Sequence, residues 1–292
     1  MKIATAAYPL DWIDSWAQYE DKIASWVADA AGQGADLLVF PEYGAMELAA
    51  LDGAAVAADL ERSIHAVSDR MKAAAAVHMR LAIEHRVHIL GASAPVHCGY
   101  SRPVNRAEFY TATGGRDHQD KQIMTRSERD NWDVIPGGPL KLFETALGKI
   151  GVLTCYDSEF PLLGRALKAA DIILVPSCTA ALAGYWRVRI GAMARALEGQ
   201  CVTAMASLVG PAKWSGAVDM NVGMGGIFGP PDSGFPGTGV LAEGRLNTPG
   251  WTVAEVDLAD IARVRADGDV LHRSHWDEQE DRVKSVTISQ LK

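Results

Sequence analysis

The sequence predicts a layered α/β fold, and three observations carry that prediction. Short apolar runs, among them Asp36–Phe40, Ile150–Thr154 and Asp171–Pro176, read as buried strands. Longer segments between them, Gln18–Ala31, Asp59–Glu84 and Tyr185–Gln200, carry apolar residues at helical spacing. Beyond these, strand–turn–strand patterns appear. Strands that alternate with helices and then give way to hairpins suit a layered α/β protein better than a plain doubly wound sheet.

Taken in order, Lys2–Ala7 reads as a strand closed by Pro9. Ile23, Trp26, Val27 and Ala30 build one face of the first helix, which Gly32 or Gly34 can stop. Asp36–Phe40 ends at Pro41, and Glu42 follows directly. The Ala-rich stretch 59–84 is one long amphipathic helix or two; its His65, His78 and His85 lack ligand spacing and read as surface residues. Arg86–Ala94 is a further strand. Phe109–Thr113 and Asp117–Met124 flank Gly114-Gly115 as a hairpin, with Lys121 in the second arm. Ile150–Thr154 runs into Cys155, after which a helix reaches about Ala170. Cys201–Val209 is another strand, and 210–250 reads as strands and turns with a hairpin near Ala242-Glu243-Gly244. Trp251–Val256 and the helix Leu258–Arg265 close a single domain spanning residues 1–292, with about 266–292 as a polar tail.

Bulk properties exclude several classes. The formal charge of −8, with no basic run to offset it, argues against a nucleic-acid surface. No apolar stretch approaches the roughly 20 residues of a membrane span. Met1–Leu10 meets Asp11 and Asp14 too soon for a signal peptide. Cys98, Cys155, Cys178 and Cys201 are widely spaced without a Cys-x-x-Cys pair, which points to reduced thiols in a cytoplasm and away from a disulfide framework or zinc site.

Three residues carry candidate chemistry. Cys155 stands at a strand-to-helix turn, where a helix N-terminus favours thiolate and free N–H groups can receive an oxyanion. Taken alone, it is as readily a small core residue. Glu42, at the end of a buried strand, lies where α/β sites form, although a solvated loop acid has the same signature. Lys121 in a strand is ordinarily an exposed-face residue.

Together these positions resemble the nitrilase superfamily of carbon–nitrogen hydrolases. Phe40-Pro41-Glu42 is similar to its glutamate motif and Asp120-Lys121 to its lysine motif. Leu153-Thr154-Cys155-Tyr156-Asp157-Ser158-Glu159-Phe160-Pro161 is similar to its nucleophile motif. Tyr185-Trp186-Arg187 and Arg195-Ala196-Leu197-Glu198-Gly199-Gln200 resemble the family's later helix. Two departures bear on substrate preference: Leu162 stands where an acid often follows Phe-Pro, and Gly199 where the helix commonly has Asn.

The resemblance implies a four-layer α-β-β-α sandwich, paired through helices into a homodimer, with His272, His275 and Trp276 in a tail that wraps a neighbouring subunit. It implies amide hydrolysis without cofactor or metal. Cys155 would attack the carbonyl and Glu42 would carry the proton, while Lys121 and the Tyr156 backbone N–H would hold the oxyanion. Glu128, seven residues after Lys121, is the best match to a second acid that positions the lysine or the substrate; as a plain sequence feature it is a surface acid in the charged run Arg126–Asp130. Tyr43, Trp132, Ser177, Thr179, Tyr185 and Trp186 are candidate substrate contacts, equally readable as core or interface packing. The expected activity is release of ammonia or an amine from a small amide or N-carbamoyl compound. Cys155-Tyr156-Asp157 favours this over a nitrilase, whose motif is usually Cys-Trp-Glu, and a non-catalytic binding protein on the same fold is the third reading.

Overall fold

The computed structural model describes residues 1–291. One continuously paired sheet of 14 strands folds over on itself. Lys2–Pro9 is its pivot: Ile3–Thr5 run parallel to Leu37–Val39, and Ala7–Pro9 run parallel to Ser207–Val209. From the second half, Ile172–Ser177 lies parallel to Val202–Ser207 and Ile150–Val152 parallel to Ile172–Leu174.

Strand alternation builds the four layers. Ile3, Leu37, Val39, Leu90 and Phe109 from one half meet Ile150, Val152, Leu174, Val202 and Ala204 from the other in an inner core. On the opposite faces, Ala4, Tyr8, Leu38 and Phe40 receive the helices Trp16–Gly32 and Leu60–His85, while Ile173, Val175 and Met205 receive Leu182–Gly199. This is the α-β-β-α order. Ser15 and Asp59 cap the first two of these helices, accepting from the Gln18 and Arg62 N–H groups at 3.2 and 2.9 Å. The alanine-rich stretch is a single helix of 26 residues.

Four local readings change. His78 is not on the surface. Its helix turns it inward, where it stacks on Tyr110 at 5.5 Å and its Nδ1–H donates to the Ala74 carbonyl, 2.9 Å away; burial lowers its pKa. The Gly-rich hairpin is formed by Gly226–Phe228 and Val240–Glu243, so its tip lies at 229–239 and Ala242-Glu243 belong to the returning strand. Lys121 is the first residue past the strand Arg116–Asp120, although its N–H still reaches the Asn105 carbonyl at 2.9 Å. The expected helix after Cys155 is a 3₁₀ turn, Cys155–Glu159, an extended Phe160, and six helical residues, Pro161–Ala166.

The start of the tail packs back on its own chain. Arg165 lies over the Trp276 ring at 5.2 Å and pairs with Asp277 at 3.1 Å.

Candidate active site

The parallel strands deliver their C-terminal ends to one edge, as ligand sites in α/β sheets require. Glu42 follows Leu37–Val39, Cys178 follows Ile172–Ser177, and Cys155 follows Gly148–Val152. Two residues hold left-handed backbone there without being glycine: Tyr43 at φ 57° and Cys155 at φ 51°. Such conformations cost of order 1–3 kcal/mol each and persist where surroundings fix them. Around Tyr43 the fixing group is Ser93, whose Oγ accepts from the Tyr43 N–H at 2.9 Å. Around Cys155, Ser158 Oγ donates to the Cys155 carbonyl at 2.7 Å. Gly191 lets the helix Leu182–Gly199 lie against this turn, since a Cβ there would stand 2.8 Å from the Ser158 carbonyl oxygen.

Lys121 is 1% exposed and sits between two acids. Its Nζ donates to Glu42 Oε1 at 2.8 Å and to Glu128 Oε2 at 2.7 Å. Glu128 is buried too, which removes the surface reading; Tyr43 Oη donates to its Oε1 at 2.7 Å, and the Thr125 N–H and Oγ1 donate to its Oε2 at 2.8 and 2.7 Å. Glu42 Oε2 accepts the Cys178 N–H at 2.9 Å, and Glu42 also engages the Cys155 thiol. The thiol points to the Cys178 carbonyl, 3.8 Å away.

This arrangement pushes the two acids apart. Burial raises the Glu42 pKa, opposed by Lys121 and reinforced by Glu128. Burial acts the same way on Glu128, but Lys121, Tyr43 and Thr125 together outweigh it and hold Glu128 below the ordinary carboxylate value. Burial alone would discharge Lys121; Glu42 and Glu128 prevail and keep it well above the usual lysine value. Burial and then Glu42 raise the Cys155 thiol, with Lys121 opposing. The expectation of a helix-stabilised thiolate therefore fails: the turn is too short to present a macrodipole, and the resting sulfur keeps its proton beside a carboxylate of raised pKa.

These groups line a cleft of about 630 Å³. Of the expected substrate contacts, Tyr43, Trp132 and Thr179 line it, as does Tyr156; Tyr43 and Trp132 rings lie 4.6 Å apart. Three do not. Ser177 is buried in the sheet, its Oγ donating to the Ala206 carbonyl at 2.8 Å. Tyr185 faces the core beneath the helix and accepts from Arg189 at 3.1 Å. Trp186, one residue on, is rotated outward and exposed, against the Arg189 guanidinium. Neither sequence departure lines the cleft: Leu162 is exposed on the Pro161–Ala166 turn, and Gly199 leaves room for Cys201 Sγ, which a Cβ would meet at 2.9 Å.

The sequence assigns no site role to two residues, Asn105 and Asp157, the second of which enters it only through the Cys155-Tyr156-Asp157 motif. Asn105 is fully buried; its Nδ2 donates to Glu42 Oε1 at 2.9 Å, and its Oδ1 accepts from Ser93 Oγ at 2.7 Å. Asp157 accepts the Gln122 and Ile123 N–H groups at 3.0 and 2.8 Å, tying the lysine loop to the cysteine turn. Burial pushes its pKa up to about 7.

The model of the carbon–nitrogen hydrolase family matches residues 2–266. The chain belongs to that family. This carbon–nitrogen hydrolase is 30% identical over 273 residues to the probable hydrolase YhcX of Bacillus subtilis, covering 92% of the chain and 52% of the relative, so it spans about half that protein's length. It superposes with a TM-score of 0.75 on a carbon–nitrogen hydrolase from Helicobacter pylori G27 at 18% identity, covering 98% of each chain, which shows the shared fold. A mutant of the amidase of the nitrilase superfamily from Nesterenkonia sp. AN1 is 26% identical, with a TM-score of 0.64 and coverage of 94% of this chain and 96% of that one; that mutant's structure shows covalent addition of the acetamide moiety of fluoroacetamide at the active-site cysteine. Among the described residues no helix is long and apolar enough to cross a membrane.

Proposed function

We propose that this carbon–nitrogen hydrolase is an amidase acting on small amides or N-carbamoyl compounds through a thioester on Cys155. The observation that carries this reading is the buried Lys121 ammonium bridging Glu42 and Glu128, with the Cys155 thiol against Glu42. Glu42, its pKa raised by burial, takes the thiol proton as Sγ attacks the carbonyl carbon. Lys121 and the Tyr156 N–H receive the developing oxyanion. Glu42 returns the proton to the departing amine, leaving the acyl group on sulfur, then deprotonates the water that releases the acid and regenerates the thiol. Glu128 stays ionised throughout and holds Lys121 in place; moving the two acids' pKa values apart is what separates these roles. No cofactor or metal enters this scheme.

The cleft supports a small, partly apolar acyl group. Tyr43, Trp132 and Thr179 stand near the reacting atoms, and Ala181, Val188 and Val218 form further wall. Cys155-Tyr156-Asp157 favours amide over nitrile. Ammonia release over matched amides and nitriles, from wild type and Cys155→Ala, tests both points: activity confined to nitriles refutes the amide assignment, and activity retained by Cys155→Ala refutes the nucleophile.

We further infer a homodimer formed through the helix Leu182–Gly199. It exposes Leu182, Trp186 and Ile190 at four-residue intervals, an apolar stripe along one face. Light scattering of Ile190→Asp is expected to show a monomer. Four free cysteines support a reducing, cytoplasmic setting.

A further inference from the structure

A second cavity, of about 310 Å³, shares no lining residue with the cleft. It is enclosed by the Pro161–Ala166 segment and Lys168, the end of the helix Leu182–Gly199, Arg265, and the tail from Arg273 to Asp277. Its wall carries five cations, Arg165, Lys168, Arg195, Arg265 and Arg273, against two acids, Glu198 and Asp277.

Three of these cations are already paired. Arg165 reaches Asp277 at 3.1 Å and Glu280 at 3.0 Å. Arg195 donates to Glu198 at 3.0 Å and to the Ser158 carbonyl at 3.1 Å. Arg265 pairs with Asp171 at 2.6 Å and donates to the Gln200 carbonyl at 2.9 Å. Arg273 and the exposed Lys168 have no carboxylate partner among the described residues. Burial, and then the neighbouring Arg265 charge, pull the Arg273 pKa below the usual arginine value. Two buried donors of the same wall, Arg195 Nε and Trp276 Nε1, also lack hydrogen-bond partners among the described residues, and Arg195 is 5% exposed.

Like charges packed together and donors left unpaired are each costly, and they have one common remedy. A multiply charged oxyanion accepts from several N–H groups at once and offsets the surplus charge. An apolar ligand would leave both defects, and a cation would deepen the first. The Trp276 ring, held by Arg165 at 5.2 Å, adds a flat wall for any organic part.

We propose that this cavity binds a small polyanion of the phosphate class, free or carried on an organic group, with Arg273 and Lys168 as its charged contacts. Calorimetric titration of the full chain with inorganic pyrophosphate in low-salt buffer tests this. Wild type is expected to show one saturable site. Arg273→Gln and Lys168→Gln should each weaken it roughly 10- to 100-fold, the value of a charged hydrogen bond. Lys72→Gln, exposed on the long helix, should leave it unchanged. Because Arg273→Gln removes a charge from beside Arg265, its ligand-free melting temperature should equal or exceed that of wild type, which separates loss of contact from loss of fold. Phenyl phosphate binding more tightly than inorganic phosphate would assign the organic part to the Trp276 wall; equal binding would assign a free anion. Absence of saturable pyrophosphate binding, binding that both substitutions leave intact, or equal weakening by Lys72→Gln overturns the proposal.

Discussion

Replacing Lys121 with methionine probes the site's electrostatics and its chemistry together. The side chain is 1% exposed and its ammonium is the counter-charge of two buried carboxylates, at 2.8 and 2.7 Å. Methionine fills the space of the stem and removes only the charge. Stranding buried carboxylates costs about 3–5 kcal/mol when they stay ionised. The variant can reduce that cost by keeping protons on Glu42 and Glu128, so both folded pKa values rise above those of the unfolded chain. An acid whose folded pKa is raised contributes no penalty while it is protonated in both states, below its unfolded pKa near 4.3. The penalty then grows as pH rises towards the folded value. The loss of stability is therefore expected to be small near pH 5 and largest near pH 8, where about 3–5 kcal/mol corresponds to a fall of roughly 6–12 °C in melting temperature for a chain of this size. Turnover is expected to fall on the order of 10²–10³ from the lost oxyanion donor. Calorimetric melts at both pH values, with single-substrate kinetics at a temperature where the variant is folded, measure each part. A melting temperature within about 1 °C of wild type at pH 8 would show that the ammonium does not neutralise the acids, and the reasoning would fail.

The two acids should separate experimentally. Glu42→Gln is expected to block acylation and deacylation, whereas Glu128→Gln, which keeps its shape and some hydrogen bonding, should retain more acylation; equal inertness would show that the roles are not divided. In wild type, kcat/KM should rise with pH along a limb set by Glu42, above the ordinary glutamate value because its pKa is raised, since the base must be ionised to act. Asn105→Ala removes a hydrogen bond to a charged group and should lower kcat/KM roughly 10- to 100-fold, with the Glu42 limb moving to higher pH; a merely structural asparagine would leave that limb in place.

The four-layer arrangement follows from family resemblance more than from periodicity, although the alternation of Ile3, Ala4, Ala6 and Tyr8 between inner core and helix layer is visible once the layers are known. Glu42 and Cys155 were legible because proline or polar residues stop an apolar run and mark a strand end. The Tyr185-Trp186 pair shows where reading by neighbourhood misleads. Consecutive helical residues point about 100° apart, and Tyr185, Val188, Arg189, Ala192 and Ala196 already mark the buried face. Asn105 carries no single-residue signal, because Val104–Tyr110 also contains the polar Arg106 and Glu108; only strand alternation, which puts it on one face with Ala107 and Phe109, marks it as inward-facing. The Cys178 contribution comes from its backbone N–H and carbonyl, for which no side-chain pattern exists. His78 shares the inward face of Leu60–His85 with Ala74, Ala75 and Leu81, a facing that the spacing of the three histidines does not reveal.

The most direct test of the central claim is mass spectrometry of the chain, acid-quenched during turnover of an amide it hydrolyses. The account predicts the mass of the acyl group on the peptide carrying Cys155, absent from Cys155→Ala, which should also be inactive. Turnover by Cys155→Ala, or an acyl mass on Cys98, Cys178 or Cys201 with Cys155 unmodified, would contradict it.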